Sequence, residues 1–195
     1  MDNFGMLTRL LRFQRLVAGS RRPEDVDRSG LLSPEEFQAE LALLGLSGRE
    51  FGPREYAEIL GKKLGIEINI CVLPDDHYPE LTLEMARAGK VAELSYSEDL
   101  LGATILVPSS LPSIVRTLSV YHELGHVAAG HPLEVWEGGR RTNRLERVPR
   151  RLARRPPVED RGLCEQEADL RAVYSLLAGS LGSKNHYAEK IYDPL

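Results

Sequence analysis

His122-Glu123-Leu124-Gly125-His126 restricts the fold of this chain more than any other segment. Residues four apart lie one above the other on a helix face, so the two imidazoles can meet one cation at about 2.0–2.1 Å if the segment is helical. Glu123 then sits about 100° round the axis, outside the ligand plane but within reach of a water on the ion, where a general base belongs. The pattern H-E-x-x-H arises by chance in roughly one sequence in a hundred of this length. Its surroundings therefore decide between a metal site and a helix whose histidines are merely hydrogen-bonded. A zinc site needs a third protein ligand, which means that a second element must pack against the histidine helix. Cys164-Glu165-Gln166-Glu167-Ala168-Asp169 supplies candidates. Glu165 and Asp169 are again four apart, so Glu165 can bind the metal while Asp169 takes the ring N–H of a ligand histidine from outside. Glu167 projects to another face and stands second as ligand, with Cys164 third. The same acidic run also has a plainer use, as a helix start favoured by the macrodipole.

His131 is a different case. A third histidine ligand in the pattern H-E-x-x-H-x-x-G-x-x-H falls ten positions after the first. Here the interval is nine, and Gly130 stands one place before His131 rather than three. We read His131 as a helix-end residue that favours the dipole, not as a ligand.

The rest of the chain supplies elements for these two helices to pack on. Phe4, Leu7, Leu10, Leu11 and Leu16 suggest an amphipathic helix over residues 4 to 18. Ser33-Pro34-Glu35-Glu36 carries a capping Ser, Pro at the first helical position and Glu three residues after the Ser, predicting a helix from 34 to about 45. Gly52-Pro53 opens another, with Tyr56, Ile59, Leu60 and Leu64 on one face and Gly65 as its stop. From Ile66 the period changes to two, and a strand is expected to about residue 73. Val91 to Ser97 and Ala103 to Val107 read as two more strands. Helices are expected from Pro112-Ser113 to about Ala129, and from about Leu163 to Ala178, closed by Gly179. The expected class is α+β: a short sheet packed with the histidine helix and the later third-ligand helix. Residues 1–50 read as an N-terminal helical appendage and 51–195 as the main domain, with an Arg-rich insert at about 138–158.

Composition narrows the classes. A chain of 195 residues, 42% hydrophobic and 28% charged, can bury a core and is neither low-complexity nor disordered. Its longest apolar stretches, such as Leu41 to Leu46, fall far short of the roughly 20 residues that cross a bilayer, so no membrane partner is expected. Two cysteines and the absence of a signal-like apolar run in the N-terminal residues suggest the cytoplasm. A net charge of −4 makes direct nucleic-acid binding an unfavoured expectation.

The run Arg116-Thr117-Leu118-Ser119-Val120-Tyr121-His122-Glu123-Leu124-Gly125-His126-Val127-Ala128-Ala129-Gly130-His131, joined to Glu165-Gln166-Glu167-Ala168-Asp169-Leu170-Arg171-Ala172, resembles the ImmA/IrrE group of metallopeptidases. Leu64-Gly65-Ile66 fits the helix-to-strand junction that this family places upstream, and the resemblance spans about residues 53–180. It implies a small zincin-like domain with a gluzincin-like zinc site: His122, His126 and Glu165 as ligands, Glu123 as the catalytic base. It also implies a protein substrate, since many members cut a helix-turn-helix repressor encoded beside them. The chain departs from the family in the arginine-rich insert between His126 and Glu165. For a second catalytic acid, Tyr187, His186 and Tyr192 stand unranked.

The expected function is thus a zinc-dependent endopeptidase, with Glu123 taking a proton from the attacking water and returning it to the leaving nitrogen. A rival from another class is a zinc-stabilised module that binds a repressor or antitoxin partner and cuts nothing. Glu123 discriminates, because a structural site has no use for a base there. A zinc hydrolase of small amides is a third reading. Two further signals lie outside this scheme. Asp25 to Glu36 places oxygen donors, Gly30 and a final Glu as a calcium loop does, although its end is already explained as a helix cap. Between Arg140 and Arg155 eight arginines meet one acidic residue, which reads as a solvated basic loop rather than a regular element.

Overall fold

The structure is a computed structural model and describes residues 32–97, 99–137, 140–146 and 160–180. Five helices and five strands lie among them, in the order α1 (Pro34–Leu43), α2 (Pro53–Leu64), β1 (Glu67–Leu73), α3 (Pro79–Arg87), β2 (Glu93–Tyr96), β3 (Gly102–Pro108), α4 (Ser113–Ala129), β4 (Leu133–Glu137), β5 (Arg140–Glu146) and α5 (Arg161–Ser180). The expected helix at 4–18, Asp25 to Leu31 of the calcium-like loop, the Arg-rich residues from 147 onward, and His186, Tyr187 and Tyr192 lie outside the described residues.

Local chemistry sets the element ends. Ser33 Oγ accepts from the Glu36 amide at 3.2 Å and Glu36 Oε2 accepts from the Ser33 amide at 2.8 Å, the reciprocal cap that the sequence predicts. The helix stops at Leu43, short of the expected 45, because Gly45 turns the chain at φ 68. α2 begins on Pro53 and ends on Gly65 at φ 69, and the Ile66 amide returns to Gly61 O at 3.0 Å. Tyr56 and Leu60 on its inner face are buried, each contributing about 1.5–3 kcal/mol.

One three-stranded sheet has the order β1-β3-β2. β1 pairs parallel with β3, Ile70 opposite Ile105, and β2 pairs antiparallel with β3, Tyr96 opposite Ala103. Ala103, Ile105 and Val107 of β3 are buried against the helices. The core runs from there through Tyr56 and Leu60 to Val120, Leu124 and Val127 of α4. Leu32, Phe37, Leu41, Leu44 and Leu46 belong to the same core. So the described part of the expected appendage, residues 32–50, shares one hydrophobic core with the main domain.

Three features differ from the sequence reading. α3 is absent from the sequence reading; it buries only Met85, and Pro79 at its first turn marks the start. The Arg-rich stretch is corrected in part: Arg140–Glu146 is strand β5, paired antiparallel with β4. Gly138-Gly139 between the two is a tight-hairpin signal that the arginine content obscured. Lastly, Gly179 does not close α5, which continues to Ser180. A Cβ at Gly179 would lie 2.5 Å from Phe51 O, so this glycine serves close packing within the helix.

Candidate metal centre

The site is made where α4 crosses α5. A Cβ on Gly125 would stand 3.1 Å from Arg171 Cβ and 3.2 Å from Ala168 Cα and O. Glycine admits that approach without displacing a neighbour, and it brings Glu165, one turn before Ala168, opposite the histidine pair. His122 Nε2 and His126 Nε2 are 3.0 Å apart, and Glu165 Oε2 lies 3.2 Å from the first and 3.7 Å from the second. A tetrahedral ion with bonds of about 2.0–2.1 Å separates its ligands by roughly 3.4 Å. The three donor atoms bracket that spacing. Among the described residues, His122, His126 and Glu165 form the one group of this kind that could hold a metal ion.

Both imidazoles are gripped by their outer nitrogens. Asp169 Oδ1 sits 2.9 Å from His122 Nδ1, the partnership expected from the spacing of Glu165 and Asp169. Behind His126, the Nδ1 of His131 lies 2.9 Å from His126 Nδ1. His131 Nε2 in turn is 3.4 Å from Glu167 Oε2. Arg171 donates from Nε to Glu167 at 3.2 Å and from Nη2 to Glu40 at 3.0 Å, with a further bond from Nη1 to Glu40. Glu40, Glu167, Arg171 and His131 are all buried.

The surroundings push the two imidazoles in opposite directions. Burial opposes a proton on His122, but hydrogen bonds to Asp169 and Glu165 outweigh it and lift the ring to about 10. His126, buried and beside His122, is pushed down to about 4. Hydrogen bonds from the two imidazoles hold Glu165 far below the usual carboxylate range. Glu123 is not part of this cluster. Burial raises its carboxyl to about 7, and it feels charges on both sides: His122 and Glu165, and Lys90 with Glu93 at the start of β2. Tyr96 of β2, raised by burial and by the Glu123 charge, has a buried hydroxyl without a hydrogen-bond partner.

No known protein family, curated protein or solved structure matches the chain. The site is thus read from its own geometry.

That geometry brings His122, His126, Glu165, Asp169 and Glu123 together as the sequence spacing requires. It removes the two reserve ligands. Glu167 faces Arg171 and His131, away from the imidazole nitrogens that meet Glu165. Cys164 is buried and lies outside the group of donor atoms close enough together to hold an ion. His131 stands just past the end of α4, where the sequence reading puts it, and it is 1% exposed and turned onto His126. Gly130, at φ 65, reverses the chain so that the His131 amide donates to His126 O at 3.1 Å. In that helix-ending motif the second residue beyond the helix touches the fourth from its end. Gly130 in the sequence was therefore the signal for this contact. Glu40, Arg171 and Tyr96 gave none, since their roles depend on partners far along the chain.

Proposed function

We propose that this chain is a zincin-like, zinc-dependent endopeptidase that cuts a specific protein substrate, with a helix-turn-helix repressor as the substrate class that its resemblance to the ImmA/IrrE group suggests. One observation carries the reading. A carboxylate outside the ligand set, Glu123, stands beside a two-histidine, one-carboxylate cluster whose donor atoms lie 3.0, 3.2 and 3.7 Å apart.

Imidazole and carboxylate donors suit zinc, and the separations above fit its tetrahedral ligand shell. His122, His126 and Glu165 would hold the ion, which when bound acts as a Lewis acid toward water and a carbonyl oxygen. Asp169 keeps the His122 ring oriented by its Nδ1. The Glu123 carboxylate accepts the proton of the attacking water and delivers it to the departing amide nitrogen. A peptide rather than a small amide is favoured by β2. It is an edge strand of the β1-β3-β2 sheet, and charge interactions link its Glu93 and Tyr96 to Glu123. An extended chain can add to such an edge through backbone hydrogen bonds.

The test has two parts. Elemental analysis of protein purified without added metal should find about one zinc per chain. The zinc-loaded protein is then incubated with the helix-turn-helix protein encoded nearest its gene, and fragments are read by mass spectrometry. Glu123→Gln should keep the zinc and lower cleavage by about 10²–10⁴-fold. If Glu123→Gln relieves repression as well as the wild type does, the chain is a binding module instead.

A further inference from the structure

His131 does not belong to the ligand set, yet it is one of the most buried polar side chains described. Its ring meets that of His126 edge-on, centroids 4.9 Å apart at 72°. The contact is between the two Nδ1 atoms, 2.9 Å apart, while His126 Nε2 faces His122 and Glu165 on the opposite side. His131 is therefore behind His126 and cannot share its ion.

Two nitrogens at that distance must be one donor and one acceptor. If His126 gives the lone pair of Nε2 to a cation, its proton is on Nδ1, and His126 donates to His131. His131 Nδ1 then accepts, which leaves its own proton on Nε2. That atom is buried without a hydrogen bond of good geometry, and the Glu167 carboxylate beside it, at 3.4 Å, is positioned to receive the proton's charge. Glu167 accepts hydrogen bonds from Arg171, whose other carboxylate partner is Glu40 of α1. Every proton in the series is fixed by its neighbour.

We propose that His131 is a positioning residue of the metal centre, accepting the Nδ1–H of His126 and backed by Glu167, so that His126 presents Nε2 to the ion in one tautomer and one orientation. The inference rests on His126 being a metal ligand, as in the proposed function.

It is tested on the full chain by titrating zinc against a chromophoric chelator in the wild type, His131→Leu and His131→Asn. Leu keeps bulk and removes the acceptor; Asn restores an acceptor where Nδ1 stood. His131→Leu should bind zinc about 10–100-fold more weakly, and His131→Asn should regain most of the loss. Long-range ¹H–¹⁵N spectra of the zinc-loaded wild type should show His126 protonated on Nδ1 and His131 on Nε2. Wild-type affinity in folded His131→Leu, an equal loss in both variants, or a proton on His131 Nδ1 overturns the proposal while leaving the metal centre intact. Failure of the wild type to hold zinc overturns the metal-centre reading itself. Should His131→Leu not fold, the wild-type spectra decide.

Discussion

His122 and His126 are one helical turn apart and chemically alike, but their outer nitrogens meet opposite surroundings. Behind His122 stands Asp169, whose side chain is 36% exposed, on the same open side as Glu165 at 52%. Behind His126 stand His131 at 1%, Glu167 at 2% and then Arg171 and Glu40, which tie α5 to α1. The open side is an arrangement of single side chains near solvent, where an ion pair contributes about 0–1 kcal/mol to folding. The closed side is a set of buried charges, each tolerable only because the next one is present, and removing one costs about 3–5 kcal/mol. One half of the cluster therefore stands near solvent, while the other is inseparable from the core.

The sharpest way to break this contrast is Arg171→Met, which strands Glu40 and Glu167 without a counter-charge. It should destabilise the chain by about 3–5 kcal/mol in denaturant unfolding; a loss under about 1 kcal/mol would make the closed side as tolerant as the open one. Gly125→Ala acts on both halves at once, because the added methyl meets Ala168 and Arg171 on the facing helix. We expect about 1–3 kcal/mol of lost stability together with weaker zinc binding, as Glu165 is carried away from both imidazoles. Stability lost with zinc affinity intact would mean that the helix separation does not set the ligand geometry. Asp169→Ala, on the open side, should lower zinc affinity about 10–100-fold in a chelator competition and, because it also removes the bond that favours the His122 proton, should lower stability by less than Arg171→Met does. The smallest effect is expected from Ser33→Ala. It removes the cap of the helix that carries Glu40 and should cost about 1 kcal/mol, with zinc affinity unchanged if the buried charges anchor α1 independently.

Elements with local causes are legible in the sequence. Pro53, Gly65 and the alternation after Ile66 specify α2, its stop and β1 within a few residues of one another. The Ser33–Glu36 cap is equally local. The β4–β5 hairpin was not legible, because it carries a charge pattern typical of loops, and α3 was missed although Pro79 marks its start. Gly179 misled because a glycine near a helix end reads as a terminator, whereas the constraint comes from Phe51, far away in sequence. No helix among the described residues is long and apolar enough to cross a membrane, as the short apolar runs require.

The sequence alone determined that His122 and His126 share a helix face with Glu123 turned away from it, since that follows from four-residue spacing and a fixed rise and twist. Which acid of the Glu165–Asp169 stretch faces them depends on how α5 is rotated about its own axis. Ala168 seated on Gly125 sets that rotation, and the same seating sends Glu167 and Arg171 inward to Glu40. Spacing along one helix is a property of local hydrogen bonds. The choice among partners on a second helix belongs to packing between residues distant in the chain, which only the tertiary structure decides.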